Sequence, residues 1–332
     1  MKIPKPSKFT CQSCSGKARK QYQGLYDDRY GAKGKHDIYV CQHCGFGKTL
    51  PGITNKEIGK FYQKHYPLSQ VDIKQLTNRP TIPNKLVAWL KGLNHTTHWQ
   101  AKKGQKVLDI GSGSGRSLVE INSIGGKAYG VEPDPTGKTI AKKAKLNVFT
   151  GFIQDNPFPD QMFDLVTASQ VLEHDPDPNS FISACVNKLD KNGQIILSFS
   201  NLNAFTRHLF QKRWIHWHVP YHLNFFTKKS IKLLAKKNNL RIKNLTTVTP
   251  NLWTVLQLQS ILIGLPKEGA KNPLWPQAIT KSKKPSSNHS KLLNFLRSAT
   301  KIAETVIAIP NRILDQLLLG DSWLVTLEQN EK

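Results

Sequence analysis

Three groups of residues in this chain combine types and spacings that can do chemistry. The first is KVLDIGSGSG (106–115), an apolar run that carries Asp109 and ends in Gly111, Gly113 and Gly115. Alternating glycines let a backbone turn tightly and approach a ligand at the N-terminus of the next helix. The spacing is GxGxG, with Arg116 where a dinucleotide fingerprint has its third small residue, which counts against NAD. Glu132 closes the next apolar run, KAYGVE (127–132), where a carboxylate can accept both hydroxyls of a ribose. The second group is Cys11-x2-Cys14 and Cys41-x2-Cys44. A two-residue gap lets both sulfurs of a knuckle reach one ion, and two knuckles complete a closed tetrahedral zinc site that holds structure and leaves no open position for water. The third is RWIHWHVPYHLNFFT (213–227), which gathers Trp214, His216, Trp217, His218, Tyr221 and His222. A neutral imidazole can take a proton from a hydroxyl near physiological pH.

These groups need elements to position them. Strands are expected near 106–110, 127–132, 147–152, 163–168, 194–199 and 241–248, with helices near 84–93, 115–124, 136–145, 179–190 and 227–239. Such alternation predicts an α/β fold, a doubly wound Rossmann-like sheet with its ligand at the carboxyl ends of the strands. DIYV (37–40) reads as a strand entering the second cysteine pair. NKEIGKFYQKHY (55–66) reads as helical, and 67–83 as a proline-marked linker. DSWLVTLEQ (321–329) reads as the last strand of the sheet. The organisation expected is a zinc ribbon at 1–50, a helical linker at 51–83, a core at 84–250, a helical insertion at 251–320, and the last strand and tail at 321–332.

VLDIGSGSG, GVEPD, FPDQMFDLVTASQVLEH and NGQIILSFSN stand in the order and at the spacing of one known family. Together they resemble the class I S-adenosylmethionine (SAM) dependent methyltransferases, over about residues 84 to 250. A W…P-x-H-L-x-F-F pattern like that of the histidine-rich segment occurs in bacterial methyltransferases of sugar, polysaccharide and natural-product pathways, some with an N-terminal zinc ribbon. The resemblance implies a seven-stranded, mostly parallel sheet and SAM as cofactor. It implies that Asp109, Gly111, Gly113 and Gly115 border the methionine end, and that Glu132 takes the ribose. Phe152 and Ile153 would sandwich the adenine, Asp155 would accept from its amine, and Gln170 would line the sulfonium side. The histidine-rich segment would form a substrate lid, with His222, then His218 and Tyr221, as candidate catalytic residues. His174, in Leu172-Glu173-His174, could act as a base, and in similar enzymes more often orders the loop beside SAM. Cys185 falls on the apolar face of a helical pattern and reads as core, which weakens a cysteine-based mechanism.

Composition bounds the rest. The chain has 332 residues and a formal net charge of +26, with a mean hydropathy of -0.43. No apolar run approaches a membrane span, and the N-terminus lacks the apolar stretch of a signal peptide, so a cytoplasmic protein is expected. The basic excess favours polyanionic partners: RNA, DNA, an anionic membrane face or phosphorylated substrates. In 251–320, Leu292, Phe295, Leu296, Ala299, Ile302, Ala303 and Val306 share a stripe opposite Arg297, Lys301 and Thr305, and Pro310 should end or kink the helix. Packing on the core or a partner, or peripheral binding to the inner face of a membrane, would each suit that stripe. The leading expectation is methylation of a small-molecule or glycan-type acceptor, lipid-linked in one version, at a hydroxyl oxygen, with carbon as the alternative. An RNA methyltransferase and a non-catalytic SAM-binding scaffold are the alternatives. SQVLEH in place of an Asn/Asp-Pro-Pro-aromatic motif weighs against the RNA reading.

Overall fold

The computed structural model describes residues 9–54, 57–58, 61, 83–275 and 287–330, with the backbone alone for Phe9, 287–294 and Arg297. The expected helix at 55–66 and linker at 67–83 fall almost wholly outside the described residues, as does 276–286 of the basic loop.

The apolar runs form the strands of a seven-stranded sheet: β5 (Lys106–Ile110), β6 (Lys127–Glu132), β7 (Asn147–Thr150), β8 (Phe163–Ser169), β9 (Leu189–Ser200), β11 (Leu240–Val248) and β12 (Ser322–Gln329). Their order is β11-β12-β9-β8-β5-β6-β7. The pairs among β7, β6, β5, β8 and β9 are parallel, and β12 runs antiparallel between β9 and β11. Strands buried on both faces read as continuous apolar runs, which is why Val107, Leu108, Val166, Ile195 and Leu197 are nearly or wholly inaccessible.

Helices α1 (Lys85–Lys91), α2 (Arg116–Ser123), α3 (Pro135–Lys143), α4 (Pro178–Val186) and α6 (Lys228–Lys237) lie near their expected places. Their N-termini are chemically marked. Asp177 caps α4 through Asn179 N–H at 3.0 Å, and Thr227 caps α6 through Ser230 N–H at 3.2 Å. The 179–190 expectation ran long, because the chain has already turned into β9 at Leu189.

The cysteine segment is more than two knuckles. β1 (Phe9–Thr10), β2 (Lys17–Leu25), β3 (His36–Cys41) and β4 (Gly47–Leu50) form an antiparallel sheet whose fifth strand is β10 (Asn224–Phe225), from the histidine-rich segment. Cys11, Cys41, Cys44 and Phe46 share one apolar cluster with Phe226 and Ile231. The ribbon is thereby packed into the core.

The insertion consists of α7 (Asn251–Ile263), α8 (Ser287–Val306) and α9 (Ala308–Gln316); α5 (Phe205–Phe210) precedes it, after β9. The chain breaks helix at Ile307, and Pro310 sits in the first turn of α9, where its missing N–H costs no hydrogen bond. The expected stripe of α8 is split: Leu296 is buried, whereas Phe295, Ile302 and Val306 face outward.

Candidate cofactor cavity and cysteine knuckles

The glycine loop leaves β5 and enters α2 over the carboxyl ends of β5 and β6. A cavity of about 310 Å³ opens there, lined by Gly111, Gly113, Glu132, Phe152, Ile153 and Gln170, together with Ile110, Val131, Gln154, Val171, His174, Asp175 and Phe181. Its walls are mainly apolar, with a few convergent polar groups, as small-molecule sites generally are.

Glu132 is buried at the edge of that cavity. Gly113 N–H donates to its Oε2 at 2.8 Å and Asp134 N–H to its Oε1 at 2.9 Å. These bonds fix the carboxylate, and each oxygen keeps a second lone pair for a ligand hydroxyl. Burial pushes its pKa up, partly offset by the two N–H donors. Room for it comes from Gly137, where a Cβ would stand 2.8 Å from Glu132 Cγ and 3.1 Å from the Gly113 carbonyl. Gly113 has a φ of +53° and open space where its side chain would be.

The other expected cofactor residues divide. Asp109 lies in the sheet behind the cavity and accepts from the Thr167 hydroxyl at 2.7 Å. Burial raises its pKa. Gly115 starts α2 and packs toward Leu146, away from the lining. Asp155 spends its Oδ2 on the N–H of Phe152 at 2.8 Å, closing the turn that presents Phe152 and Ile153. The adjacent Gln154 reaches the lining in its place. Its amide nitrogen donates to Asp175 at 2.8 Å, while its Oε1 is buried with no hydrogen-bond partner. Gln170, at a φ of +57°, directs its amide toward the hydroxyls of Ser198 and Ser322, 3.3 Å from each.

The histidine-rich segment lies under the cavity wall. His218, Tyr221 and His222 are buried, and none lines the cavity; His174 does. His174 Nδ1 is 3.0 Å from the Tyr221 carbonyl, which assigns the proton to Nδ1 and makes Nε2 the basic nitrogen. Its ring stands 4.7 Å from that of His222, which stands 4.9 Å from that of His218. His222 Nδ1 in turn meets the His216 carbonyl at 2.8 Å. Burial lowers the pKa of His174 to about 4 and pushes those of His218 and His222 well down, the nearby Arg29 guanidinium adding to this for all three. Beside them Glu173 is fully buried, held through Oε1 by Ser200, its Oε2 without a partner, and burial raises its pKa to about 8. Sequence reasoning missed the polar interior here, because aromatic residues between the histidines read as a lid and instead wrap them.

The four knuckle cysteines converge, each as a free thiol. The Sγ atoms of Cys11 and Cys44 lie 3.5 Å apart, as do those of Cys14 and Cys41. A tetrahedron with zinc–sulfur bonds of about 2.3 Å has edges of about 3.8 Å, so the donor set fits zinc. Gly16 packs against two of the sulfurs, where a Cβ would come within 3.2 Å of Cys14 and Cys41 Sγ. The turns that build each knuckle are closed by Ser15 N–H to Cys11 O at 2.8 Å and Gly45 N–H to Cys41 O at 2.9 Å.

Residues 86–245 match the family model described as a methyltransferase domain. A ubiquinone biosynthesis O-methyltransferase of Vibrio atlanticus is 36% identical over 117 residues, 32% of this chain and 48% of that protein. The mitochondrial enzyme of the same name from Schizosaccharomyces pombe is 31% identical over 104 residues, 29% of this chain and 38% of its own. The chain therefore spans half or less of the length of these two curated relatives. Among solved structures, coclaurine N-methyltransferase bound to N-methylheliamine and SAH aligns over 84% of each chain at 12% identity, with a TM-score of 0.46.

Proposed function

We propose, from the premise that residues 86–245 form a class I SAM-dependent methyltransferase domain, that this chain transfers a methyl group to the hydroxyl of a small-molecule or glycan-type acceptor. One observation carries the reading. A fixed carboxylate (Glu132) stands in the wall of a single apolar cavity over the strand ends, and so does Gln154, whose buried amide oxygen has no hydrogen-bond partner among the described residues. The two curated relatives, both O-methyltransferases by name, support oxygen as the acceptor atom.

Bound SAM supplies an electrophilic methyl group on sulfur. Glu132 accepts the ribose hydroxyls with its remaining lone pairs. Gln154 Oε1 accepts from the adenine amine, the role expected of Asp155. Phe152 and Ile153 supply apolar contact to the base. Gln170, its backbone held by Ser198, forms the wall on the reacting side.

His174 meets the acceptor from within the cavity. A pKa of about 4 makes it a weak base and keeps it neutral at physiological pH. It acts chiefly by accepting a hydrogen bond that orients the hydroxyl. As the hydroxyl oxygen bonds the methyl carbon, the carbon–sulfur bond would break, SAH would leave and the hydroxyl proton would pass to water, most of the acceleration coming from holding nucleophile and methyl in line. His222, His218 and Tyr221 serve as positioning residues behind it. The four cysteine sulfurs hold a structural zinc that does no chemistry.

The test is methyl-labelled SAM with a panel of hydroxyl-bearing small molecules and saccharides, with RNA as the competing acceptor. Label in the hydroxyl acceptors, reduced in Glu132→Ala and His174→Ala, supports the reading. Label only in RNA, or none with any acceptor, overturns it.

A further inference from the structure

The helices around the insertion are built inside out. In α7 the buried side chains include Asn251, Gln257, Gln259 and Ser260, whereas Leu258 is 44% and Leu262 70% exposed. Gln257 ties Ile215 N–H at 2.8 Å and the Arg213 carbonyl at 2.9 Å. Gln259 ties the Leu296 carbonyl at 3.0 Å. In α9 the buried set is Ala308, Asn311, Arg312 and Asp315, with Arg312 paired to Asp315 at 2.8 Å. Ile309, Ile313 and Leu317 stand 55%, 56% and 62% exposed. Along α8, Phe295, Ile302 and Val306 are 66% to 71% exposed, while Leu296 is buried and Ala299 and Ala303 are half-buried.

Each outward set recurs every three or four residues, or two turns apart, so each is a stripe on one helix face. α8 packs on α7, and α9 on both α8 and α1, where Leu86 and Val87 are also exposed. The stripes therefore belong to one helical layer. Singly scattered apolar residues on a surface need no explanation, but a layer that buries this many polar side chains while rows of large apolar ones stand exposed does.

Charge selects the occupant. Exposed Lys85 and Lys91 on α1 and exposed Lys301 on α8 lie on the same helices as these stripes, against a half-buried Glu304. The whole chain carries +26. A second copy would bring like charge to the same face, whereas an anionic bilayer attracts it. Among the described residues no helix is long and apolar enough to cross a membrane. We propose that α1, α7, α8 and α9 form an interfacial surface that docks on bilayers bearing anionic headgroups, with the apolar stripes entering the headgroup boundary and the lysines flanking them.

The proposal stands apart from methyl transfer and is tested without it. The full chain is sedimented with vesicles of phosphatidylcholine alone and of phosphatidylcholine with phosphatidylglycerol. Its oligomeric state is measured in parallel by light scattering. Binding is expected to the anionic vesicles and to weaken with salt. The variant Ile302→Ser/Val306→Ser/Ile313→Ser should lose about tenfold or more of that partitioning while SAH binding, read by calorimetry, shows it remains folded. Three results would each overturn the proposal: no anionic-vesicle binding by the wild type, equal binding by a folded triple variant, or a stable dimer that the triple substitution splits.

Discussion

The hydroxyl of Thr49 donates to the carbonyl of His222 at 2.6 Å, so the strand that leaves the second cysteine knuckle grips the histidine-rich segment directly. The neighbouring Lys48 bridges Gln12 of the first knuckle, Pro176 O beside the cavity and Asn224, at 2.9 to 3.0 Å from each. Thr227 completes the join, donating its hydroxyl to Cys44 O at 2.6 Å. The cysteine knuckles thus brace the wall that carries His174.

Zinc removal is therefore expected to destabilise the whole protein. Chelation, or Cys44→Ser, should cost several kcal/mol, seen as a large fall in Tm, because structural metal sites contribute folding energy outright. Elemental analysis should find zinc in the purified protein. A Tm indifferent to chelator would show that the ribbon stands without metal.

Glu132 and Gly137 form a pair whose effects should match. Glu132→Ala should weaken SAH binding by about 10- to 100-fold, the range for losing hydrogen bonds to a charged group. Gly137→Ala would press on Glu132 Cγ and should weaken binding in the same direction, though a helix interior ordinarily favours alanine. Calorimetric titration of both variants checks this, with Tm as the control for folding.

Glu173 gives a pH signature. Its pKa is raised from 4.5 to about 8 by burial, so the folded state keeps a proton that the unfolded chain has lost. The resulting stability is fully present below about 4.5 and is lost as pH rises through 8. His174, with its pKa lowered to about 4, acts in the opposite sense and only below its ordinary value of 6.5. Between 6.5 and 8 the Glu173 slope should stand out, and Glu173→Gln should flatten it. Denaturant melts at several pH values measure the difference.

The same burial shapes catalysis. With His174 neutral above about pH 5, the pH dependence of kcat should lack an ascending limb near 6.5. His174→Ala should lower kcat by roughly 10- to 100-fold, toward the low end of general base effects. An inflection near 6.5 that disappears in the variant would instead assign His174 an ordinary imidazole role.

Much of this arrangement was legible in the residues. Val107, Leu108 and Ile110 announce a buried strand, the following glycines its turn, and the paired Cys-x2-Cys spacings their knuckles. What was not legible depends on distant chain meeting. Nothing local in Asn224–Phe225 says that it will pair with Gly47 and Lys48. The spacing of Ile302 and Val306 says that they share a face, but only packing decides which face turns outward. Asp155 and Gln154 are neighbours, and the capping of Phe152 N–H by Asp155 is what hands the cavity to Gln154.

The central claim is that the cavity beside Glu132 holds SAM. Its most direct test is calorimetric titration of the purified, zinc-loaded chain with SAH, beside Glu132→Ala. The expected result is a single site of micromolar affinity in the wild type and a clear loss in the variant. Absence of binding, or affinity untouched by the substitution in a folded variant, would contradict it.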